Sequence, residues 1–315
     1  MRAICYENYG GPDVLAIVET AAPEIGEDEV LIRVEAASLN PFDWKLRKGL
    51  LREFISVDFP LTPGRDGCGT IVRLGKAVPE LAQGGLAEGQ RVSFISSRLQ
   101  SGSCAEFAAV RASDFTVPAP QNLSVAESAA LPLVGLSAFN ALVDTASLEA
   151  GMRVLIHGGS GGVGSIAIQL ARHLGAEVYS TCSGASVERV TGLGAEAIAY
   201  DEVDFADAVS DCDVVLDTVG GRVHEKSYEV LKPGGCLVYL QAAPFRDRSR
   251  EFDVDTRQAI VLNRTANLRH VIDLAADGII RPVIGRELPF EEFDRAFAQA
   301  EAGRAGGKIV LHIAA

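Results

Sequence analysis

The chain has 315 residues, of which 48% are hydrophobic and 23% charged, and its formal net charge at pH 7 is -13. This length is enough for a large core and favours two domains over one. The acidic excess argues against a nucleic-acid partner, because backbone binding depends on Lys and Arg neutralising phosphates. The start MRAICYENYG has no signal-peptide pattern, and no stretch approaches the about 18 apolar residues of a bilayer span. We therefore expect a cytoplasmic protein with no membrane partner.

The cysteines lie tens of residues apart, without C-x-x-C pairs or Cys/His spacing typical of metal sites. They are Cys5, Cys68, Cys104, Cys182, Cys212 and Cys236. This spacing favours small buried hydrophobes over a zinc site or a disulfide framework.

Short segments of alternating apolar and polar residues dominate the first about 120 residues. The segments typical of strands are EVLIRVEAA, GTIVRLG, QRVSFIS and AEFAAVRA, with turns such as TPGRDG and GGLAEG between them. They predict an antiparallel barrel or sandwich. The segment NLSVAESAALPLVGLSAFNAL is typical of a helix, with Asn122 or Ser124 as its N-cap.

The pattern then changes to short β-rich runs with helical segments between several of them. These runs are MRVLIHG, AEVYSTC, AIAYD, CDVVLDTVGG and CLVYLQAAP. Such alternation predicts a parallel, doubly wound sheet. From about Asn267 the chain returns to a helix, an extended RPVIGREL, a second helix EEFDRAFAQAEAG and a last strand GKIVLHI.

The stretch VLIHGGSGGVGS fits two catalytic motifs that both need a strand turning into a helix. Gly159, Gly161 and Gly164 form the dinucleotide fingerprint G-x-G-x-x-G, whereas the overlapping GGSGG fits the nucleophile elbow of α/β-hydrolases. The elbow needs a later acid and histidine on loops, but His270 lies in a helical pattern and His312 in a strand pattern. The amphipathic helix GVGSIAIQLARHLGA instead favours a dinucleotide, whose pyrophosphate would bind at its N-terminus.

The end of the next strand, at Thr181 to Gly184, indicates which dinucleotide binds. An NAD site places a carboxylate there for the ribose hydroxyls, and Glu177 lies at the wrong end of this strand. The absence of an acid favours NADPH, with Ser183 and Arg189 as partners of the 2′-phosphate. The alternatives are that Ser183 caps the following helix and that Arg189 is solvated.

Seven motifs occur in the order found in zinc-free medium-chain reductases. They are LNPFDWKLRKG, PGRDGCGTIVRLG, ALPLVGLSAFNAL, VLIHGGSGGVGSIAIQLARHLGA, DVVLDTVGG, LKPGGCLVYL and GKIVLHI. Over essentially the whole chain, the sequence resembles the quinone oxidoreductase and alkenal/enone reductase branch of that family. The resemblance implies an α/β fold: a cochaperonin-like catalytic β-barrel from residues 1–120 and 267–315, and a Rossmann domain from 121–266.

The resemblance also implies a set of sites. Its candidate cofactor-binding residues are Ser137, Gly159, Ser160, Gly161, Gly162, Val163, Gly164, Ser183, Arg189, Tyr200, Val219 and Lys308. Zinc-dependent relatives of this fold carry metal ligands at positions that align with Asn40, Arg65 and Leu133, none of which supplies a thiolate or an imidazole. We therefore expect no metal, and Arg65 has no explanation from the sequence.

Asn40 and Lys45 are the candidate catalytic residues, because the resemblance places their segment beside the nicotinamide. A reduced enone or quinone develops negative charge on oxygen, which an amide N–H or an ammonium stabilises, and Lys45 is also a candidate proton donor. The alternatives are that Asn40 holds a turn before Pro41 and that Lys45 is a solvated surface lysine. Leu50 and Leu51 stand near this segment, where quinone reductases often carry tyrosines, and this indicates a more apolar, enone-type pocket.

The sequence thus predicts a zinc-independent, NADPH-dependent oxidoreductase that transfers hydride to a small quinone or α,β-unsaturated carbonyl. Two other classes stay open: a noncatalytic NADPH-binding sensor or structural protein, and an enoyl-thioester reductase. The family resemblance further implies a homodimer that pairs through an edge strand, for which GGCLVYLQ and AIVLN are candidates.

Overall fold

The computed structural model describes residues 1–81, 85–113, 115–240, 245–260, 265–303 and 305–313. The chain divides into two compact units, the first formed by Met1–Leu133, Asn263–Gly278 and Pro282–Ala315, the second by Val134–Leu262 and Ile279–Arg281. The boundary expected after residue 120 therefore lies further along the chain. The reason is that Ala126, Ala129 and Ala130 pack with Ala36, Cys68 and Val310 of the first unit.

The secondary structure follows in chain order. The strands are β1 (Arg2–Cys5), β2 (Ala16–Glu19), β3 (Glu29–Leu39), β4 (Asp66–Leu74), β5 (Arg91–Ile95), β6 (Phe107–Arg111), β7 (Thr116–Pro118), β8 (Arg153–His157), β9 (Glu177–Cys182), β10 (Glu196–Ala199), β11 (Cys212–Asp217), β12 (Leu231–Tyr239), β13 (Asp255–Gln258), β14 (Ile284–Pro289) and β15 (Lys308–His312). The α-helices are α1 (Pro41–Arg47), α2 (Val78–Leu81), α3 (Val125–Phe139), α4 (Gly162–His173), α5 (Val187–Gly192), α6 (Phe205–Ala208), α7 (Arg222–Ser227), α8 (Ser249–Phe252), α9 (Thr265–Ala276) and α10 (Phe293–Ala302).

The first unit contains a sheet with the order β14-β15-β3-β4-β5-β7, and β6 pairs with β3. Its strand pairs are antiparallel except for β14 and β15, which are parallel. The pairing of Ile309 with Leu39 joins the last strand to the third. Alternate residues such as Val30, Ile32 and Val34 enter one apolar core. The expected barrel-type domain from both chain ends is confirmed.

The second unit contains a six-stranded parallel sheet with the order β10-β9-β8-β11-β12-β13. The strand order reverses between β8 and β11, and ligands of such sheets bind at that reversal, beyond the carboxyl ends of the strands. The predicted Rossmann domain is confirmed. The reversal places the turn after β8 at the centre of the candidate site.

Two sequence interpretations are corrected by the fold. GGCLVYLQ contributes to β12, which is bonded on both sides by β11 and β13 and is therefore not an edge strand. β13 pairs along β12 and occupies that edge. The other candidate edge, AIVLN, lies only partly within the described residues, and its Ala259 and Ile260 are outside the strands.

The helical segment before the parallel sheet also differs from expectation. α3 continues into a π-helical turn, and Val125–Thr145 is long and apolar enough by composition to cross a membrane. Its most apolar 18-residue window is 83% buried inside the protein, as in a core helix. Ser124 caps it, since its hydroxyl accepts the N–H of Glu127 at 3.1 Å, whereas Asn122 donates to the carbonyl of Ala275.

Candidate cofactor and active site

The glycine turn joins β8 to α4 in the second unit. Gly158 has φ of +74°, which favours glycine, and Gly161 is the N-cap of α4. The N–H groups in the first turn of an α-helix have no intrahelical partner and bind anions. Ser160, Gly162 and Val163 are half-buried at this turn. The sequence-predicted residues therefore form a cradle with the chemistry that a pyrophosphate needs.

The three fingerprint glycines differ in the space around them. A Cβ on Gly159 would lie 2.1 Å from the Ser180 hydroxyl, and one on Gly164 would lie 2.2 Å from the Gly158 carbonyl. These two glycines are needed for packing within the protein. A Cβ on Gly161 has one close contact, at 3.2 Å to the same carbonyl. Gly161 therefore borders space that a ligand can use, and the cradle fits a dinucleotide.

A buried histidine, the last residue of β8, stabilises the glycine turn. His157 contacts the hydroxyl of Thr181 through Nδ1 at 3.0 Å and that of Ser227 through Nε2 at 2.9 Å. Burial lowers its pKa to about 4, so the imidazole is neutral at pH 7. The hydroxyl of Thr181 also accepts the N–H of Gly158 at 3.3 Å. His157 thus ties the turn to β9 and is a structural residue.

The other candidate cofactor residues of this unit follow neighbouring strands of the sheet. Ser183 follows β9, and its hydroxyl is 3.2 Å from that of Ser186. Tyr200 follows β10 and is 63% exposed, while Val219 follows β11 and is 50% exposed. Val219 lies beside the glycine turn, since its side chain is 3.6 Å from the position of a Cβ on Gly158. Exposed apolar groups such as these fit the flat faces of a nucleotide. Ser183 precedes a helical turn without a side-chain capping bond, so its capping alternative is not supported.

Two further candidates of this unit lie on helices. Ser137 is buried on α3, whereas Arg189 is exposed on α5. The role of Arg189 as a partner of the 2′-phosphate stays a prediction.

Sequence reasoning missed a buried Asp–His pair at the end of β11. Asp217 accepts the N–H groups of Val219 and Gly220, both at 2.8 Å, and contacts Nδ1 of His224 at 2.9 Å. Hydrogen bonds to this carboxylate outweigh its burial, and its pKa is lowered. The pair fixes the loop that carries Val219. The only signal in the sequence was the motif DTVGG, which does not reveal the partner of its aspartate.

Asn40 lies in a buried polar cluster of the first unit. Its amide nitrogen donates to Asp66 at 2.7 Å and to the carbonyl of Ser38 at 3.3 Å, and its oxygen accepts from Lys308 at 2.5 Å. Asp43 closes a capping box by accepting the N–H of Asn40 at 2.7 Å. Asn40 is thus held by residues from β3, β4, α1 and β15. Its amide hydrogens are both engaged within the protein.

Burial sets the charges of this cluster. It raises the pKa of Asp43 to about 6, and it also raises the pKa of Asp66, against the opposing effect of Lys308. Burial lowers the pKa of Lys308, although both carboxylates oppose that shift. Lys308, a candidate cofactor residue, therefore acts in this structure as the internal counter-charge of two acids. Asp43 and Asp66 were not singled out from the sequence, because nothing local marks them as neighbours.

Lys45 and Arg65 bring further positive charge to the same region of the first unit. Lys45 is half-buried with its ammonium 5.7 Å from the ring centre of Trp44, and burial lowers its pKa. The guanidinium carbon of Arg65 is 5.5 Å from the ring centre of Phe42. Phe42 and Lys45 are three residues apart on α1 and hence share a face of the helix. Lys45 is therefore not a fully solvated lysine.

The residues at the aligned zinc-ligand positions converge in the first unit. Asp66 accepts the amide of Asn40 and also the backbone N–H of Leu133 at 3.2 Å, and Arg65 directly precedes it. An amide, a guanidinium and an isobutyl group do not fit a zinc ion, which requires thiolate, imidazole or carboxylate ligands. Among the described residues, no group of three or more His, Cys, Asp or Glu side chains has the arrangement of a metal site.

Comparison with known proteins places the chain in a family. Residues 26–127 match the alcohol dehydrogenase GroES-like domain, and residues 193–311 match the family described as zinc-binding dehydrogenase. The chain is 38% identical over 322 residues to a 2-methylene-furan-3-one reductase of Solanum lycopersicum, covering 99% of this chain and 79% of that protein. It belongs to the medium-chain dehydrogenase/reductase superfamily, in the quinone oxidoreductase and alkenal/enone reductase branch.

Two further relatives support that placement. A chloroplastic NADPH-dependent alkenal/one oxidoreductase of Arabidopsis thaliana is 35% identical over 321 residues, covering 99% of this chain and 79% of that protein. The structure of the quinone oxidoreductase from Coxiella burnetii superposes with a TM-score of 0.88 at 32% identity, covering 100% of this chain and 99% of that chain. The resemblance inferred from the seven motifs is confirmed.

Proposed function

We propose that this protein is an NADPH-dependent oxidoreductase that reduces α,β-unsaturated carbonyl compounds or quinones without zinc. The observation that carries the proposal is the glycine turn, where Gly161 borders open space at the start of α4. The relatives named as NADPH-dependent alkenal/one oxidoreductase and quinone oxidoreductase support the same chemistry. When bound, NADPH supplies the hydride.

The residues of the second unit hold the pyrophosphate and the adenosine end of the cofactor. The first-turn N–H groups of α4 bind the pyrophosphate, and the hydroxyl of Ser183 and the guanidinium of Arg189 bind the 2′-phosphate. Tyr200 and Val219 offer exposed apolar surface to its rings. Ser137, which lies on α3 in the same unit, completes the proposed contacts.

Lys45 is the proposed catalytic residue of the first unit. Its ammonium stabilises the negative charge that develops on the substrate oxygen and then donates the proton that this oxygen or the adjacent carbon needs. Partial burial favours the proton transfer, because an ammonium with a lowered pKa releases its proton more readily. Asn40, whose amide hydrogens are engaged by Asp66 and Ser38, acts as a positioning residue that fixes the start of α1.

Zinc independence is proposed from the donor set at the aligned positions. Asn40, Arg65 and Leu133 do not supply the ligands of a catalytic zinc. The electrophilic role that a metal would have then falls to hydrogen-bond donors and cations of the chain. A conjugated carbonyl can be reduced without a metal here, because the ammonium of Lys45 can stabilise the negative charge that develops on the carbonyl oxygen.

The test is a parallel measurement of NADPH oxidation with a quinone, a 2-alkenal and a cyclic enone, before and after extensive chelation. We expect turnover with at least one acceptor and no loss after chelation, together with less than stoichiometric zinc by metal analysis. NADPH binding without turnover of any acceptor would favour the noncatalytic class. Chelator-sensitive turnover would contradict zinc independence.

A further inference from the structure

Two carboxylates from the end of β10 lie against the turn that follows β9. Asp201 Oδ1 accepts a hydrogen bond from the N–H of Gly184 at 2.8 Å. Glu202 Oε1 lies 3.0 Å from the position that a Cβ would take on Gly184. Both acidic residues are exposed. The turn after β9 therefore carries two negative charges that its own sequence does not contain.

This turn is the place where a doubly wound sheet distinguishes its nucleotides. β9 is the strand next to β8, which leads into the glycine turn. A carboxylate beyond the end of this second strand bonds the free ribose hydroxyls of NAD, whereas NADP requires donors or cations for the 2′-phosphate. The sequence at the end of β9, from Thr181 to Gly184, contains no acid, which favours NADPH. The fold brings acids there from the neighbouring strand.

The pairing of the two strands explains the approach. β10 pairs with β9 in parallel through Ala199 and Cys182, and the N–H of Tyr200 continues the ladder to the carbonyl of Cys182 at 3.0 Å. The next residue, Asp201, then reaches the backbone of Gly184. The contact is fixed by sheet register, so the carboxylate is a built part of the turn.

The carboxylates and the nearest proposed cation at this turn have opposite effects on the binding of a 2′-phosphate. A 2′-phosphate carries about -1.5 to -2 charges at pH 7, and a carboxylate within a few ångströms repels it. The N–H of Gly184, which could otherwise donate to a ligand at this turn, is engaged by Asp201. Arg189 is exposed on α5, and its positive charge would attract the 2′-phosphate.

We propose that Asp201, assisted by Glu202, determines the cofactor specificity of this site by weakening the binding of the 2′-phosphate and favouring the unphosphorylated ribose of NADH. The protein then remains NADPH-dependent but discriminates less strongly against NADH than a site without these two acids would. This inference rests on the proposed function, since it concerns the same nucleotide site.

The test compares binding of adenosine 2′,5′-bisphosphate and 5′-AMP, which differ only in the 2′-phosphate, by isothermal titration calorimetry. Asp201→Asn removes the charge and keeps an oxygen that can accept from Gly184, and Glu202→Gln removes the second charge. Glu196→Gln is the matched control, because Glu196 is an exposed acid at the other end of β10. The ratio of NADPH to NADH in kcat/KM is measured in parallel.

We expect Asp201→Asn to raise the affinity ratio of the bisphosphate over 5′-AMP by about fivefold or more, since it removes one nearby repulsive charge. Glu202→Gln should raise it further in the double variant, and the control should change it less than about twofold. An unchanged ratio in Asp201→Asn and in the double variant, with both fragments bound, overturns this inference alone. If neither fragment binds the wild-type protein, the proposed nucleotide site itself is wrong.

Discussion

The ammonium of Lys308 donates a hydrogen bond of 2.5 Å to the side-chain oxygen of Asn40, across 268 positions of the sequence. The same ammonium donates to the carbonyl of Leu39 at 3.0 Å. The side-chain amide nitrogen of Asn40 in turn donates a hydrogen bond to the carboxylate of Asp66. The last strand of the chain thus supplies the positive charge that the buried acids of β4 and α1 require. This arrangement orients the first turn of α1, which begins at Pro41 and directly precedes Lys45.

Removal of the Lys308 charge should destabilise the protein strongly. Lys308 is 5% exposed and is the buried ammonium that faces Asp66 and Asp43. Loss of one partner of a buried charge cluster typically costs about 3–5 kcal/mol, because the remaining charges stay buried. We expect Lys308→Met to lower the free energy of unfolding by this amount in urea denaturation. Lys232→Met, which removes a 47% exposed lysine paired with Asp213, should cost less than about 1 kcal/mol.

Asp43 should give the stability a distinctive pH dependence. Its pKa is raised from 3.8 to about 6 in the folded protein. Between these values the folded state holds a proton that the unfolded chain has released, so this contribution is full below the unfolded value and is lost as the pH rises through about 6. The difference between the folded and unfolded pKa values of Asp43 corresponds to at most about 3 kcal/mol in the free energy of unfolding.

The measurement is the free energy of urea unfolding at about pH 4.5 and about pH 7, in the wild type and in Asp43→Asn. Carboxylates with lowered pKa values give the opposite slope, and they are common to both proteins. We expect the wild type to lose more stability than the variant over this rise in pH. Equal slopes would show that Asp43 does not titrate in this range.

Alanine at two glycines of the same turn should separate cofactor binding from folding. Gly161→Ala adds a methyl group with one close contact, at 3.2 Å, and its φ of -81° suits any residue. We expect a melting temperature near that of the wild type and NADPH affinity reduced by about tenfold or more, since the methyl group faces the pyrophosphate. Gly164→Ala forces a contact of 2.2 Å and should destabilise the fold by at least about 2 kcal/mol. Full NADPH affinity in folded Gly161→Ala would remove this residue from the cofactor site.

Lys45→Met should reduce turnover without reducing NADPH affinity. Loss of one preorganised donor costs about 2.7–4 kcal/mol of transition-state stabilisation, roughly a hundredfold to a thousandfold in kcat, as an upper expectation. The drop should be smaller for quinones, whose reduced oxygen takes a proton from solvent. Lys48→Met is the control, because Lys48 is an exposed lysine that also lies near the ring of Trp44. Enone turnover within twofold of the wild type in Lys45→Met would exclude Lys45 from the chemistry.

A homodimer is proposed, with pairing through the edge formed by β13. Among the strands that the structure describes, β13 pairs with β12 alone and is the last strand of the parallel sheet. Asp255, Arg257 and Gln258 are exposed along it. Light scattering at micromolar concentration should give about twice the 33.3 kDa chain mass. A mass equal to that of one chain would rule the dimer out.

The sequence by itself determined the features that depend on neighbouring residues. The period of two in EVLIRVEAA and the glycine turn before an amphipathic helix each reflect local backbone geometry, so they correctly predicted β3 and the β8–α4 unit. The family could also be inferred from the sequence, because each of the seven motifs is a short continuous stretch and their order can be read directly. An aspartate such as Asp66 carries no local sign of its partners, and neither Lys308 nor Asn40 could be assigned to it.

Only the tertiary structure decided the contacts that join distant segments. Sheet register brought Asp201, which follows β10, to Gly184 after β9, and so placed an acid at a turn whose own sequence has none. Strand order placed β12 inside the sheet and left β13 at its edge. The physical reason is the same in each case: long-range pairing of strands sets which side chains meet, and the free energy of that pairing is shared over the whole sheet, so no short stretch of sequence encodes it.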